Sequence, residues 1–309
     1  MANPKRIRFT DYPSLYLNHK EKFLEIFDNV ASRGAFILQK EVKDFEDKIS
    51  SYVGVKHSVG VGNATDGLEI SLMAMNMSPG DEVILSSHTM VATASAIVLA
   101  GGKPVPVDIG YDNLIDPESI KAAITKRTVG IVPTQLNGRT CNMHEIENIA
   151  QKNNLFIIED AAQGLGSSYK GRKAGSFGLS SAFSFYPAKV LGTFGDAGIV
   201  VTNNNEIYEK LIQLHDHGRG TKGSIESWGR NSRIDNIHAA FLQFKLELYH
   251  KEIERRRSIA EFYNNNLSDI EELKLPPAPN DSSEHFDVYQ NYEIEAEERD
   301  DLKKFLDIN

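Results

Sequence analysis

Short apolar runs recur along the chain, each bounded by polar or turn-forming residues: HSVGV from His57, EVILS from Glu82, KPVPV from Lys103, TVGIVP from Thr128, LFIIE from Leu155, AFSF from Ala182 and GIVVT from Gly198. Between them, apolar positions fall at helical spacing, with helical segments expected to begin near Thr65, Val91, Pro117 and Met143. Strands of near-continuous apolar character alternating with helices read as crossover units around a mainly parallel sheet with both faces covered. In such sheets, functional groups collect where the strands end. Farther on, Ile237, Ala240, Phe241, Phe244 and Leu248 trace one face of a long helix from about Asn236 to Tyr263. A proline-rich stretch from Leu275 to Ser283 reads as a linker, HFDVYQNYEIEA alternates as a strand would, and EERDDLKKFL reads as a helix. No internal repeat or low-complexity tract interrupts this order.

A chain of 309 residues with 40% apolar content buries a large core and divides into one large and one small domain. We place these at 1–245 and 246–309. The net charge of −9 disfavours nucleic acid as a partner, because affinity for a phosphate backbone needs clustered Lys and Arg. The one dense basic run, Arg255-Arg256-Arg257, sits on the long helix and is expected to be a solvated face. The single cysteine, Cys141, permits no internal disulfide and is expected to be inert. The N-terminal segment has no long apolar core and no run of eighteen apolar residues occurs, so neither a membrane nor secretion is expected, and cytoplasm is the default.

The chemistry concentrates in two places. Asp160 ends the apolar run Leu155–Ile158 in IIEDAAQGLG, and Lys189 follows the run AFSF in SFYPAKVLGTFGDAG. A lysine amine forms an imine with the aldehyde of pyridoxal 5'-phosphate, and an ionised aspartate keeps the pyridine nitrogen protonated. A strand-end aspartate by itself equally suits a helix cap. Gly60-Val61-Gly62 opens like a dinucleotide fingerprint, but Thr65 stands at the third glycine position, so a nicotinamide dehydrogenase is a weak reading. A strand, a tight turn and a helix N-terminus nonetheless favour an anion there; Thr65 could also be a plain N-cap.

The motifs GAFILQKEVKDFE, VGNATDGLEISL, HTMVATASAI, IVPTQLNGRTCNM, IIEDAAQGLGSSYKGRKAG, SFYPAKVLGTFGDAGIVVT and GRNSRIDNIHAAFL occur in an order that resembles the DegT/DnrJ/EryC1/StrS family of sugar aminotransferases. That resemblance implies an aspartate aminotransferase-like, fold type I α/β architecture. It has a seven-stranded, mainly parallel sheet between helices and a small C-terminal α+β domain, shortened here relative to the family. It implies pyridoxal 5'-phosphate and no metal. Lys189 and Asp160 take the catalytic roles, Ala64, Thr65 and Ser184 bind the cofactor phosphate, and Gln163 bonds its phenolic oxygen. Asn231 reaches the phosphate of a neighbouring subunit, hence a homodimer with shared active sites. Where the family has an aromatic residue over the ring, this chain has His88-Thr89-Met90, and Met90 is favoured for its polarizable thioether. The family's His-Leu-Tyr-Gly reads Gln135-Leu136-Asn137-Gly138 here, which should alter hydrogen bonding near the substrate. Arg233 and Asp235 suit a structural salt bridge as well as a substrate contact.

The implied reaction moves an amino group from L-glutamate, leaving 2-oxoglutarate, to a nucleotide-linked keto-6-deoxyhexose. Some relatives are sugar dehydratases with histidine at the lysine position, so Lys189 favours amino transfer. A non-catalytic regulator that keeps the cofactor fold is the remaining alternative.

Overall fold

The computed structural model describes residues 7–220 and 223–308. All seven apolar runs form strands of one sheet. In chain order these are β1 (His57–Val61), β2 (Glu82–Ser86), β3 (Lys103–Val107), β4 (Thr128–Val132), β5 (Phe156–Asp160), β6 (Ser180–Ser184) and β7 (Gly198–Thr202). Their spatial order is β1-β7-β6-β5-β4-β2-β3. The pairs β6/β5, β5/β4, β4/β2 and β2/β3 are parallel, while β7 runs antiparallel to both β6 and β1. Six strands therefore point the same way, and their carboxyl ends share one edge.

Burial explains the composition of each strand. Every residue of β2 and β7 is buried, as strands covered on both faces require. KPVPV carries two prolines, which donate nothing to a ladder, and it forms the outermost strand β3, where only one side needs pairing. Helices Ala64–Met73, Val91–Leu99, Pro117–Ala123 and Met143–Asn153 start within one residue of the expected positions. The helix Ala64–Met73 lies close on the sheet because of Gly67: a Cβ there would come within 3.2 Å of Ala182 Cβ and 3.0 Å of Val200 Cγ2.

The long helix spans Asn236–Leu267 without a break. Its residues Ala239, Leu242, Tyr249 and Ile253 pack with Phe45, Ile49, Phe183 and Phe185 in one apolar cluster. Two N-terminal helices, Tyr12–Leu17 and Lys20–Ser32, precede the sheet; Phe23 of the second meets Phe194 and Phe241 edge to face. No helix among the described residues is long and apolar enough to cross a membrane.

Three expectations are corrected. The segment HFDVYQNYEIEA is not one strand. Only His285–Phe286 and Glu295–Ala296 pair, with Ser168–Tyr169 and Leu273–Lys274 respectively. Between them Tyr289 takes φ +50, which breaks the pleat, and the Val288 N–H donates to Gly138 O. The arginine run is not merely solvated. Arg256 donates to the carbonyls of Tyr289 and Gln290, and Arg257 to that of Asp287, so two of the three guanidinium groups tie this irregular segment to the long helix. Nor is Thr65 an N-cap: Asn63 caps the helix, its side chain accepting from the Asp66 N–H at 2.9 Å.

Candidate active site

The turn after β1 is shaped for an anion. Asn63 occupies the cap, so the free donors of the first helical turn are the N–H groups of Ala64 and Thr65, which take no partner among the described residues. Gly198, opposite Ser184 in the β6–β7 register, lies directly beneath. A Cβ at Gly198 would sit 2.6 Å from Asn63 C and 2.8 Å from Ala64 N. The hydroxyl of Ser184 is half-buried at the end of β6 and accepts from the Tyr186 N–H at 3.3 Å. Replacing Gly198 by alanine is expected to push this turn away and cost about 1–3 kcal/mol of stability together with affinity for a phosphate-bearing ligand. Thermal unfolding and a pyridoxal 5'-phosphate titration check this; unchanged values in both would show that the close approach is unimportant.

Asp160 ends β5, with 3% of its surface exposed. Its Oδ2 accepts from Thr93 Oγ1 at 2.6 Å and its Oδ1 from the Ala162 N–H at 3.2 Å. The Thr93 hydroxyl lies 2.8 Å from Thr89 Oγ1, which lies 2.9 Å from Thr134 Oγ1. Thr134 is placed by an extension of β4 that bridges to Asp160 itself. Burial pushes the Asp160 carboxyl up, against the pull of Thr93, Ala162 and Lys189. A carboxylate has about four lone-pair sites, and two donors leave it under-satisfied. Among the described residues it has no direct cationic partner, so a protonated ring nitrogen is the group that would stabilise it.

Lys189 lies in the loop from β6 to β7. Burial lowers its ammonium pKa and the Asp160 charge partly restores it, so the two groups feel each other without direct contact. Its Nζ makes no hydrogen bond among the described residues. Gln163, three residues past Asp160, is half-buried; its Oε1 accepts from the Asn137 N–H at 2.7 Å, leaving Nε2 free to donate. The structure thus gathers Ala64, Thr65, Asp160, Gln163, Ser184 and Lys189 at the carboxyl edge of the sheet.

Two predicted residues are exposed. Met90 caps the helix Val91–Leu99 and is 65% exposed. Its neighbour His88 lies 3.3 Å from Glu293, whose other oxygen accepts from Asn137 Nδ2 at 2.6 Å. Asn231 is exposed, bridged to Asp216, on a loop that also carries the exposed Trp228. Arg233 forms its salt bridge with Asp216 at 2.8 Å, and Asp235 lies 3.8 Å from His238.

The substituted position Gln135 is fully buried. It donates to Glu159 Oε2 at 2.7 Å and accepts from the Cys141 N–H at 2.7 Å. Glu159 also accepts from the Gly175 and Phe177 N–H groups, and burial still pushes its carboxyl up to about 7. These contacts orient the Gln135–Gly138 turn, which follows β4 at the same carboxyl edge and places the Asn137 N–H on Gln163. Cys141 is buried, donates to Thr134 O at 3.2 Å, and its thiol pKa is pushed up by burial, as an inert thiol should behave.

Sequence reasoning missed Thr93, Thr134, Glu293 and the C-terminal contacts. Thr93 falls one turn into HTMVATASAI, but nothing in that spacing showed its hydroxyl meeting Asp160.

A model of the DegT/DnrJ/EryC1/StrS aminotransferase family matches residues 18–309. A pleiotropic regulatory protein of Geobacillus stearothermophilus is 38% identical, over 96% of this chain and 80% of its own. A dTDP-3-amino-3,4,6-trideoxy-alpha-D-glucose transaminase of Streptomyces venezuelae is 35% identical, over 99% and 80%. The crystal structure of S. venezuelae DesV in complex with a ketimine intermediate superposes with a TM-score of 0.94 at 35% identity, covering 98% of this chain and 81% of that one.

Proposed function

We propose that this chain, which belongs to the DegT/DnrJ/EryC1/StrS aminotransferase family, is a pyridoxal 5'-phosphate-dependent aminotransferase. It would move an amino group from L-glutamate to a nucleotide-linked keto-6-deoxyhexose. The observation that carries this reading is the pairing of a buried, under-satisfied Asp160 at the end of β5 with a desolvated Lys189 in the loop that follows the neighbouring parallel strand β6.

Each residue has a task that its surroundings suit. Ala64 and Thr65 offer backbone N–H groups to the phosphate, and Ser184 offers its hydroxyl. Gln163 Nε2 is the donor for the phenolic oxygen. Asp160, held by Thr93, would pair with the ring nitrogen, and Met90 would cover a ring face. When bound, the cofactor supplies an aldehyde for the amine of Lys189 and an electron sink for the substrate carbon. The amine of Lys189 would hold and move the proton taken from the substrate carbon, and burial, which lowers its pKa, favours the neutral form that can accept it. Asn231 and Trp228, exposed on one loop, suit a homodimer in which Asn231 reaches the partner's phosphate.

The two domains we assign to 1–245 and 246–309 place the cofactor residues in the first and a cover for the substrate in the second. We place the reaction in the cytoplasm. The relatives' names support the substrate class: one is a transaminase of a dTDP-linked amino sugar. The name of the Geobacillus relative favours a regulatory second reading. Mass spectrometry of products from L-glutamate and a panel of nucleotide-linked keto sugars decides between them. An aminated sugar nucleotide with matching 2-oxoglutarate is expected, and cofactor binding without any product would favour the regulator.

A further inference from the structure

We propose that Gln290, far from the cofactor residues in sequence, is a positioning residue that fixes Lys189 by gripping the peptide groups on both sides of it. Gln290 Oε1 accepts from the Val190 N–H at 3.0 Å, and its Nε2 donates to Ala188 O at 3.0 Å. The groups it engages are those immediately before and after the lysine. A carboxamide is the side chain that offers an acceptor and a donor from one planar end, which is what a C=O and an N–H two residues apart demand.

Gln290 can serve as a clamp because it is itself immobilised. Arg256 donates to the carbonyls of both Tyr289 and Gln290 at 3.1 Å. The Tyr289 hydroxyl donates to Pro277 O at 2.7 Å, and Val288 is buried with its N–H on Gly138 O. Within the loop the Lys189 N–H donates to Tyr186 O, and beyond the lysine the Thr193 N–H donates to Phe185 O and Lys245 to Gly192 O. Leu191 packs into the apolar core cluster with Val190 against it, and among the described residues Gln290 is the side chain from outside the loop that hydrogen-bonds the peptide groups flanking Lys189. This accounts for the irregular path of residues 287–291: a regular strand would commit these backbone groups to a ladder, whereas the turn at Tyr289 (φ +50) delivers the amide to the loop.

The inference rests on the reading that Lys189 is the amine that takes the cofactor. Fixing a reacting group shortens the search for its bonding geometry, and loosening it slows every step it performs. The test uses the full chain, its Gln290→Ala and Gln290→Glu variants, and Lys189→Ala as a control. The rate at which each captures pyridoxal 5'-phosphate in a borohydride-reducible form is measured, with kcat, KM for L-glutamate and Tm. For Gln290→Ala, capture and kcat are expected to fall about tenfold or more, since a misplacement near 1 Å can cost a hundredfold. KM should stay within about threefold, because binding groups are untouched. Gln290→Glu keeps the acceptor for Val190 and loses the donor for Ala188, so its capture rate should lie between those of parent and alanine variant.

Capture and kcat within about twofold of the parent in Gln290→Ala would overturn the positioning role while leaving the lysine assignment intact. If Gln290→Ala does not fold, an unchanged capture rate in Gln290→Glu overturns it equally. A parent chain whose capture survives Lys189→Ala would instead remove the lysine assignment, and the clamp with it.

Discussion

Replacing Lys189 by alanine is expected to lower turnover by about 10⁴-fold or more, because one side chain supplies both the covalent anchor and the proton carrier. The fold should survive. The Lys189 Nζ has no hydrogen bond among the described residues to lose, and burial disfavours its charged form, so its removal relieves desolvation rather than breaking a network. Thermal unfolding of the variant should therefore stay within a few degrees of the parent, on the order of 1 kcal/mol. Turnover retained within about tenfold, measured as glutamate-dependent formation of 2-oxoglutarate, would be incompatible with a lysine-centred reaction.

Asp160→Asn should separate activity from stability. The asparagine is nearly isosteric: its Oδ1 can still accept from the Ala162 N–H and its Nδ2 can donate to the Thr93 hydroxyl, but it cannot hold a ring nitrogen protonated. A fall in kcat of about 10²–10⁴-fold is expected, which is about 3–5 kcal/mol of transition-state stabilisation. Stability of the cofactor-free chain should move the other way. Burial raises the folded-state pKa of Asp160 above its ordinary 3.8. Between that value and the raised one, the folded state binds the proton that the unfolded state has released, so stability falls as pH rises through this window. Above it, the charged buried carboxylate weighs fully against folding. The asparagine variant carries no such charge, so the cofactor-free variant should be at least as stable as the parent at neutral pH, with a flatter pH dependence. A variant that is much less stable at pH 7 yet equally active would show that Asp160 serves the fold.

The sheet was legible because each strand is a short apolar run bounded by turn residues, and burial on both faces leaves little room for another composition. Asp160 and the loop that carries Lys189 lie side by side because β5 and β6 run parallel, so their carboxyl ends are neighbours. What pairs with those residues was less visible. Thr93 meets Asp160 across 67 residues of chain, and Gln290 meets the lysine loop across a hundred, so no local pattern could announce either contact.

Alternation misled at HFDVYQNYEIEA. Apolar and polar residues do alternate there, but Arg256, Arg257 and Gly138 take the backbone groups that a ladder would use. The same contacts explain why the basic run is more than a solvated stripe. At the phosphate turn, reading Thr65 as a possible cap erred by two positions. Asn63 is the better acceptor for first-turn donors, and its capping leaves the Thr65 N–H for a ligand.

Borohydride reduction of the chain after incubation with pyridoxal 5'-phosphate, followed by peptide mass spectrometry, tests the central claim most directly. One stoichiometric label is expected, on Lys189, and it should be lost in Lys189→Ala. Labelling at another buried amine such as Lys245, or no label at all, would contradict it.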